Sequence, residues 1–357
     1  MRFRLEPRPL PSPGWRLLAP ILATGLTLAA GALLFASLGV APGRALRAFF
    51  LAPLGDLWGL SELGVKAAPL ALIALGLAPG FRAGVWNIGA EGQLTIGAVA
   101  GAGVLLALWP ADPSWALPLA LCAGGLGGAL WAAVPAELRI RAGASEILVS
   151  LMLVYVAQLL LSTLVYGPWR DPEGFNFPQT RLFQASLPIL IEGTRLHPGV
   201  LLAPVCAILL WWLQRTTLLG LALETSGRAP AAAALAGFRE PLVVRACLLF
   251  GGAMAGFVGI LEATGPIGQL LPSLTPGYGF TAIIVAFLGR LHPLGILPAA
   301  LLVALTYIGA ETAQVEAGLP QAAAAVFQGL LLCFLLAAEI LVRFRIRRLR
   351  PMPGAGT

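Results

Sequence analysis

The chain has 357 residues, of which 58% are hydrophobic and 11% are charged, and its mean hydropathy is +0.87. Soluble domains carry about 25% charged residues. So few charges cannot cover a water-exposed surface, which excludes an ordinary soluble domain and indicates a protein covered largely by lipid. The net charge is +7, and arginines crowd the two ends of the chain beside apolar segments. This placement is typical of cytoplasmic ends that contact anionic membrane lipid, so we predict no nucleic-acid partner.

Apolar stretches of near-spanning length recur along the chain. A transmembrane helix needs about 20 mostly apolar residues. We predict ten spans, at residues 17–38, 62–80, 85–109, 116–135, 146–166, 198–213, 241–262, 278–289, 294–311 and 321–342. The eighth is short, which indicates a broken helix or a helix that extends backward toward Leu270. The predicted fold class is therefore all-α, a polytopic membrane protein with about ten transmembrane helices.

The arrangement of basic residues predicts the topology. With the N-terminus inside, the inner segments hold 16 arginines and the outer segments hold 5. This bias predicts that both termini are cytoplasmic. Residues 167–197 then lie outside, and residues 214–240 form a cytoplasmic loop whose Ala-rich part, 230–236, predicts a short surface helix. We expect one transmembrane domain over residues 1–357, with the bundle at 17–342.

Glycine pairs spaced four apart occur inside three predicted spans. They are Gly97 and Gly101, Gly124 and Gly128, and Gly252 and Gly256. Such pairs place two glycines on one helix face and let neighbouring backbones approach closely in lipid. We predict tight helix packing at these positions.

The segment from Trp86 to Leu94 places polar side chains at the start of the third span. Asn87, Glu91 and Gln93 lie among glycines there. A carboxylate inside a membrane is costly, so it should face water, meet a partner or bond to free backbone. If the segment is helical, Asn87 and Glu91 share one face. Two interpretations stay open: these residues line a translocation pathway or brace a broken helix beside it, or they form a polar cluster that locks helices together.

Other charged and polar groups fall within or beside the predicted spans. Glu62 and Lys66 are four apart and could pair along one helix face. Tyr278 and Thr281, near the outer side of the eighth span, are further candidates for contact with a passing solute. The only lysine lacks the context of a phosphate-binding loop, and no HExxH or GxSxG motif occurs. We therefore predict no catalytic residue, no metal site and no bound nucleotide, so the chain is not expected to be an enzyme.

Two segments carry a resemblance to a known family. "NIGAEGQLTIGA" (87–98) and "PGYGFTAIIVAFLGRLHPLG" (276–295) resemble signatures of ABC importer permeases. The similarity is to the superfamily that serves branched-chain amino acids, ribose and other simple sugars, and its nucleoside and simple-sugar branch fits best. It extends over roughly residues 60–340.

The resemblance implies a cytoplasmic segment that couples the permease to an ATPase. Residues 220–238 correspond to it, and the positions that fit are Gly220, Gly227, Pro230, Ala232, Ala233, Ala236 and Gly237. Ala229 and Phe238 depart from the family pattern, where Asn and Ile are expected.

The same resemblance implies the partners and the energy source. They are an ABC ATPase subunit that holds ATP and Mg²⁺, a second permease subunit (paralogous or identical) and an extracytoplasmic substrate-binding protein, all at a bacterial plasma (inner) membrane. The implied function is a permease for nucleosides or simple sugars. An ion-coupled secondary transporter of a small polar solute, using Glu91 as a relay, is the alternative, and an intramembrane enzyme is a more remote one.

Overall fold

The computed structural model describes residues 2–7, 13–111, 113–274 and 276–349. Helices make up most of the described chain. They are α1 (Pro13–Ser37), α2 (Pro42–Phe50), α3 (Leu57–Arg82), α4 (Ala90–Leu108), α5 (Ala116–Ala142), α6 (Glu146–Tyr166), α7 (Gly199–Thr216), α8 (Leu218–Arg228), α9 (Pro230–Leu235), α10 (Glu240–Glu262), α11 (Tyr278–Leu288), α12 (Pro293–Ala317) and α13 (Gln321–Arg343). A 3₁₀ turn covers Ala52–Leu54, and a π-helical turn, Ala263–Ile267, extends α10. Two strands, β1 (Arg2–Pro7) and β2 (Phe344–Leu349), complete the elements.

Each of the ten predicted spans coincides with a helix. Among the described residues, seven helical segments are long and apolar enough to cross a membrane: Leu57–Arg82, Ala90–Leu108, Ala116–Ala142, Glu146–Tyr166, Gly199–Thr216, Glu240–Ile267 and Pro293–Ala317. The other three predicted spans contain the shorter apolar helical stretches Thr24–Ser37, Tyr278–Leu288 and Gln321–Leu331. The chain is therefore a multi-pass, helical membrane protein.

The eighth predicted span is a short helix and does not extend backward. The described residues from Gly268 to Gly277 are non-helical, and both of these glycines have positive φ angles, +80° and +87°. The left-handed conformation is open to glycine at little cost, and it ends the helical path on both sides of the segment. α11 therefore has 11 residues and a length of about 16 Å, roughly half of a bilayer's hydrocarbon thickness.

The chain forms two compact units. One comprises the described parts of residues 1–55 and 305–357. In it, three phenylalanines form an aromatic core: the Phe327 ring lies 5.1 Å from that of Phe35 and 4.6 Å from that of Phe49, between ring centroids. β1 and β2 pair antiparallel, with Arg2 opposite Leu349. Apart from this small sheet the described chain is helical, as the predicted all-α class requires, while the single domain over 1–357 stays a prediction.

The second unit comprises residues 56–304, with α10 packed against α3, α4 and α5. The predicted glycine pairs meet in it. A Cβ atom added at Gly128 of α5 would lie 2.7 Å from the Cα atom of Gly256 and closer still to the carbonyl oxygen of Gly252, both on α10. A Cβ at Gly97 of α4 would overlap the backbone of Gly256. The close packing predicted from the glycine spacing is thus confirmed.

Local signals account for the helix ends near the candidate site. The Asp56 side chain accepts a hydrogen bond of 2.7 Å from the amide of Gly59 and caps the start of α3. Gly84, with a φ of +74°, follows the end of α3. Gly143, with a φ of +64°, ends α5, and two residues later Ser145 caps α6.

Candidate functional site

The polar residues predicted at the start of the third span lie on a non-helical connection. α3 ends at Arg82 and α4 begins at Ala90. Asn87 therefore precedes the helix, whereas Glu91 lies in its first turn, and the two do not share a helix face. The condition for a common face, a helical segment from Asn87 to Glu91, is not met, because Gly84 follows the end of α3 and the chain stays non-helical as far as Gly89.

Asn87 pairs with Gln93 through two reciprocal amide hydrogen bonds. The Asn87 amide nitrogen donates to the Gln93 oxygen over 2.8 Å, and the Gln93 nitrogen donates to the Asn87 oxygen over 2.9 Å. The same Asn87 oxygen accepts from the amide of Gly89 over 3.1 Å. The two side chains are 4% and 1% exposed, so this pair is a buried, partnered element that fixes the connection onto α4.

Glu91 holds the start of α11. Its Oε2 atom accepts a hydrogen bond of 2.6 Å from the amide of Gly279, and its side chain is 3% exposed. The first amides of a helix have no partner within the helix, and its dipole makes that end positive. A carboxylate there satisfies one such amide and meets a favourable field, which explains how a charge is tolerated in the interior.

The backbones are close at this junction. A Cβ atom added at Gly279 would lie 2.6 Å from the Cα atom of Glu91 and closer to its nitrogen. Tyr278, 2% exposed, is the first residue of α11, and Thr281 is partly buried one turn further on. Nothing in the sequence indicated that Tyr278 lies beside Glu91. The chain after α10 brings the start of α11 against the first turn of α4.

The structure brings together four of the five pathway candidates along α4 and the start of α11, in two hydrogen-bonded groups. These are the Asn87–Gln93 pair and Glu91 with the α11 terminus that begins at Tyr278. A role for these residues and Thr281 in lining a translocation pathway stays a prediction.

The segment that was predicted to couple to an ATPase forms two short helices, α8 and α9. The predicted surface helix in the Ala-rich stretch is confirmed as α9. Ala233 is 3% exposed, whereas Leu235 is 92% exposed. Gly220, Gly227, Pro230, Ala232 and Gly237 are exposed or partly buried.

Three glycines shape this segment. A Cβ atom added at Gly220 would overlap the carbonyl oxygen of Gln214, and one added at Gly227 would overlap that of Arg82. Gly237, with a φ of +89°, ends α9, and the amide that follows it bonds to the Ala233 oxygen over 3.0 Å. Gly227 therefore places α8 directly against the end of α3.

Comparison with known proteins identifies the family. Residues 59–336 match the family described as the permease component of a branched-chain amino acid transport system. The chain belongs to this family. It is 36% identical, over 97% of its length and 94% of the relative, to the glucose ABC transporter permease protein TsgB13 of Haloferax volcanii. It is 29% identical to the guanosine ABC transporter permease protein NupP of Bacillus subtilis, over 94% of this chain and 97% of that one. It is 26% identical to the nucleoside ABC transporter permease protein NupB of Lactococcus lactis, over 83% of this chain and 84% of that one.

No solved structure matches this permease. The resemblance drawn from the two sequence segments is confirmed by the family match, which covers both of them. Within the described ranges, no group of three His, Cys, Asp or Glu residues could hold a metal ion.

Ion pairs link the ends of three helices of the permease near the connection between α3 and α4. Arg139 of α5 contacts Glu146 of α6 over 2.5 Å and Glu240 of α10 over 3.2 Å. The three side chains border a polar cavity of about 550 Å³. Glu146 also accepts a hydrogen bond of 3.3 Å from the backbone amide of Trp86. This network fixes the connection between α3 and α4 relative to α5, α6 and α10.

Sequence reasoning missed the partner of Glu62. The Arg195 guanidinium donates to both Glu62 oxygens, with 2.9 Å between Nε and Oε1. The sequence suggested Lys66, four residues along the helix, as a partner for Glu62, and it gave no sign of this ion pair to a loop 133 residues away. No spacing in the sequence indicates this pair.

The loop that carries Arg195 is bonded along the non-helical residues that follow α10 and its π-helical turn. The amide of Thr180 donates to the Leu270 oxygen over 3.1 Å, and the amide of Phe183 donates to the Gly268 oxygen over 2.9 Å. His197, 3% exposed, has no hydrogen-bond partner on either ring nitrogen among the described residues. Burial lowers the pKa of its imidazole.

Proposed function

We propose that this chain is the permease subunit of an ATP-driven importer for nucleosides or simple sugars in a plasma membrane. The observation that carries the proposal is the family match over residues 59–336. The named substrates of the relatives, glucose, guanosine and nucleosides, support the substrate class. ATP and Mg²⁺ would reside on a partner ATPase, and this chain would supply the path.

The proposed topology has ten crossings with both termini in the cytoplasm. The ends of α3, α5 and α7, the segment α8–α9 and the start of α10 carry seven arginines: Arg82, Arg139, Arg141, Arg215, Arg228, Arg239 and Arg245. By the positive-inside bias, this end of the bundle faces the cytoplasm. Loop 167–197 would then face outward, where a substrate-binding protein could deliver solute, and a second permease subunit would complete the path.

The surface of α8 and α9 fits contact with a partner protein. Leu235 and Leu218 are 92% and 71% exposed, next to charged Arg228 and Glu224. Exposed apolar side chains with a polar rim are typical of protein–protein interfaces. We propose that the ATPase subunit covers them.

The ion-coupled alternative makes a different use of Glu91. A proton or cation relay needs a carboxylate that exchanges its partner with solvent or solute. Here the carboxylate is buried and bonded to the α11 terminus. This geometry favours a bracing role and gives no support to a relay.

Uptake measurements test the proposal. Cells that contain the complete transporter would be given labelled guanosine, adenosine, ribose and glucose, with and without this chain. Each uptake would be repeated with an ATPase partner whose catalytic site is inactivated. We expect uptake of one substrate class that needs both components. Uptake that persists with the inactive ATPase and collapses with the ion gradient would overturn the proposal in favour of secondary transport.

The ATPase contact is tested by Leu235→Asp, with Leu182→Asp as the matched control. Leu182 lies in loop 167–197 and is 65% exposed. We expect the first variant to lose co-purification with the ATPase and the second to retain it. Equal retention in both would place the contact elsewhere.

A further inference from the structure

The connection between α3 and α4, together with the first turn of α4, contacts the proposed coupling segment on one side. We refer to residues 83–91 as the connector. Gly227 of α8 lies so close to the end of α3 that an added Cβ would overlap the Arg82 oxygen and lie 3.3 Å from the carbonyl carbon of Ala83. From the other side, a Cβ at Gly84 would lie 3.9 Å from the Cα atom of Gly227. The nearest atoms on both sides of this contact therefore belong to the backbones, which cannot rotate away as a side chain can.

On its other side the connector holds α11 near both of its ends. Glu91 accepts the hydrogen bond of Gly279 at the start of α11. Trp86 stacks on Phe287, in the last turn of α11, with 5.8 Å between ring centroids and 22° between ring planes. Phe81 of α3 stacks on the same ring at 5.1 Å. Since α11 has 11 residues, these contacts fix a large part of its length.

The connector is itself held in one conformation. The Asn87–Gln93 amide pair fixes it onto α4, and the backbone amide of Trp86 donates to Glu146. A Cβ added at Gly89 would lie 2.8 Å from the Ser150 oxygen, so the connector also contacts α6 by its backbone. Packed, hydrogen-bonded elements move as units, because their interiors are dense and deform little.

We propose that the connector transmits movement of the coupling segment α8–α9 to α11, and that α11 is the moving gate of the translocation path. The proposal rests on the proposed function, since it needs an ATPase that displaces α8 and α9. Trp86 and Glu91 are positioning residues in this mechanism: they act on the path through α11. α11 suits the role because it is half the length of a span and the described residues before it are non-helical, as in the discontinuous helices of transporters.

The first experiment measures how much solute is transported per ATP hydrolysed. The complete transporter would be reconstituted in proteoliposomes with Trp86→Leu, Phe287→Leu or Glu91→Gln. Trp115→Leu is the matched control, because Trp115 is 53% exposed at the start of α5 and stacks on no ring of α11 among the residues that the structure describes. We expect the ratio of transport to hydrolysis to fall by about tenfold in the three variants and to stay unchanged in the control.

The double variant Trp86→Leu with Phe287→Leu separates transmission from general destabilisation. If the two rings act through their contact, the double variant loses no more coupling than either single variant. Additive losses would contradict a shared route. Trp86→Phe keeps a stacking ring and should restore most of the coupling, which keeps the test decisive if Trp86→Leu fails to insert.

The second experiment measures the movement directly. Spin labels would be placed at position 235 in α9 or 280 in α11, each paired with a reference label at 126 in α5. The replaced side chains, Leu235, Phe280 and Leu126, are 92%, 38% and 64% exposed. The four native cysteines, Cys122, Cys206, Cys247 and Cys333, would first be replaced. In the otherwise unchanged transporter, we expect ATP with the inactive ATPase to shift both distances.

Failure of the connector mechanism and failure of the proposed function would give different results in these experiments. With Trp86→Leu or Glu91→Gln, we expect the 235–126 distance still to respond to ATP and the 280–126 distance to lose its response. An unchanged response at 280 in both variants would overturn the connector mechanism. No response at 235 in the unchanged transporter, together with no ATP-dependent uptake, would instead overturn the proposed function.

Discussion

The contact between α5 and α10 predicts that two glycines of α5, Gly125 and Gly128, differ sharply in how well they tolerate replacement by alanine. A Cβ atom added at Gly128 would lie 2.7 Å from the Cα atom of Gly256, 0.7 Å less than the 3.4 Å at which ordinary contact begins. It would also overlap the carbonyl oxygen of Gly252. At Gly125, the nearest atom to an added Cβ is the Ala253 oxygen at 3.6 Å, which is ordinary contact.

Two opposed effects set how much each substitution changes the free energy of unfolding. Forcing extra atoms into a well-packed interface costs typically about 1–3 kcal/mol, and backbone neighbours that cannot rotate away favour the upper end. Replacing a glycine inside a helix by alanine stabilises the helix by about 1 kcal/mol, because alanine has the higher helix propensity. We expect Gly128→Ala to lower the free energy of unfolding by about 2 kcal/mol, and Gly125→Ala to leave it unchanged or raise it by up to about 1 kcal/mol.

The assay is denaturant unfolding of the purified permease in one mild detergent, followed by tryptophan fluorescence. Both variants would be compared with the parent chain at equal lipid content. The expected order of midpoints is Gly125→Ala at or above the parent and Gly128→Ala clearly below it. A Gly128→Ala midpoint equal to that of Gly125→Ala would refute the close approach of α5 and α10 at these atoms.

Three further predictions concern other contacts. Arg195→Leu should lower the free energy of unfolding by about 2 kcal/mol, because it leaves the Glu62 carboxylate, 3% exposed, without its guanidinium partner. In the same denaturant assay, the double variant Arg195→Leu with Glu62→Gln should recover most of this loss. Since burial lowers the pKa of His197, the unfolded chain binds a proton there more readily, so the free energy of unfolding should fall as pH drops below about 6.5. Between about pH 7.5 and 5.5, the free energy of unfolding of His197→Leu should fall less than that of the parent chain. An equal fall in both would contradict this account. Gly227→Val should reduce ATP-dependent uptake at least about tenfold through displacement of α8, whereas Gly25→Val, with no atom within 4 Å of the added Cβ, should retain uptake at equal expression.

Much of this architecture follows from the sequence. Apolar length and helical periodicity depend on local composition, so every predicted span corresponds to a helix in the structure. The glycine pairs predicted close packing because a residue without a side chain leaves room for a neighbouring backbone wherever it lies. The Ala-rich stretch after Pro230 predicted α9 for the same local reason.

The partners of the polar groups could not be obtained this way. Glu91 was singled out because a carboxylate inside a membrane needs a partner, but nothing in the sequence indicates the amide of Gly279, 188 residues further on. Asn87 would share a helix face with Glu91 only in a helical segment, whereas Gly84 follows the end of α3 and the Asn87 side-chain amide bonds to Gln93 before α4 begins.

The sequence by itself determined that the chain is a helical membrane protein of a permease family, where its helices lie and which residues would be costly to leave unpaired. These properties depend on residue type and on neighbours within a few turns. Only the tertiary structure decided that one short connector meets α8 by its backbone and holds α11 by Trp86 and Glu91. Contacts between distant segments depend on how helices pack and where glycine turns redirect the chain, and local composition does not encode that geometry.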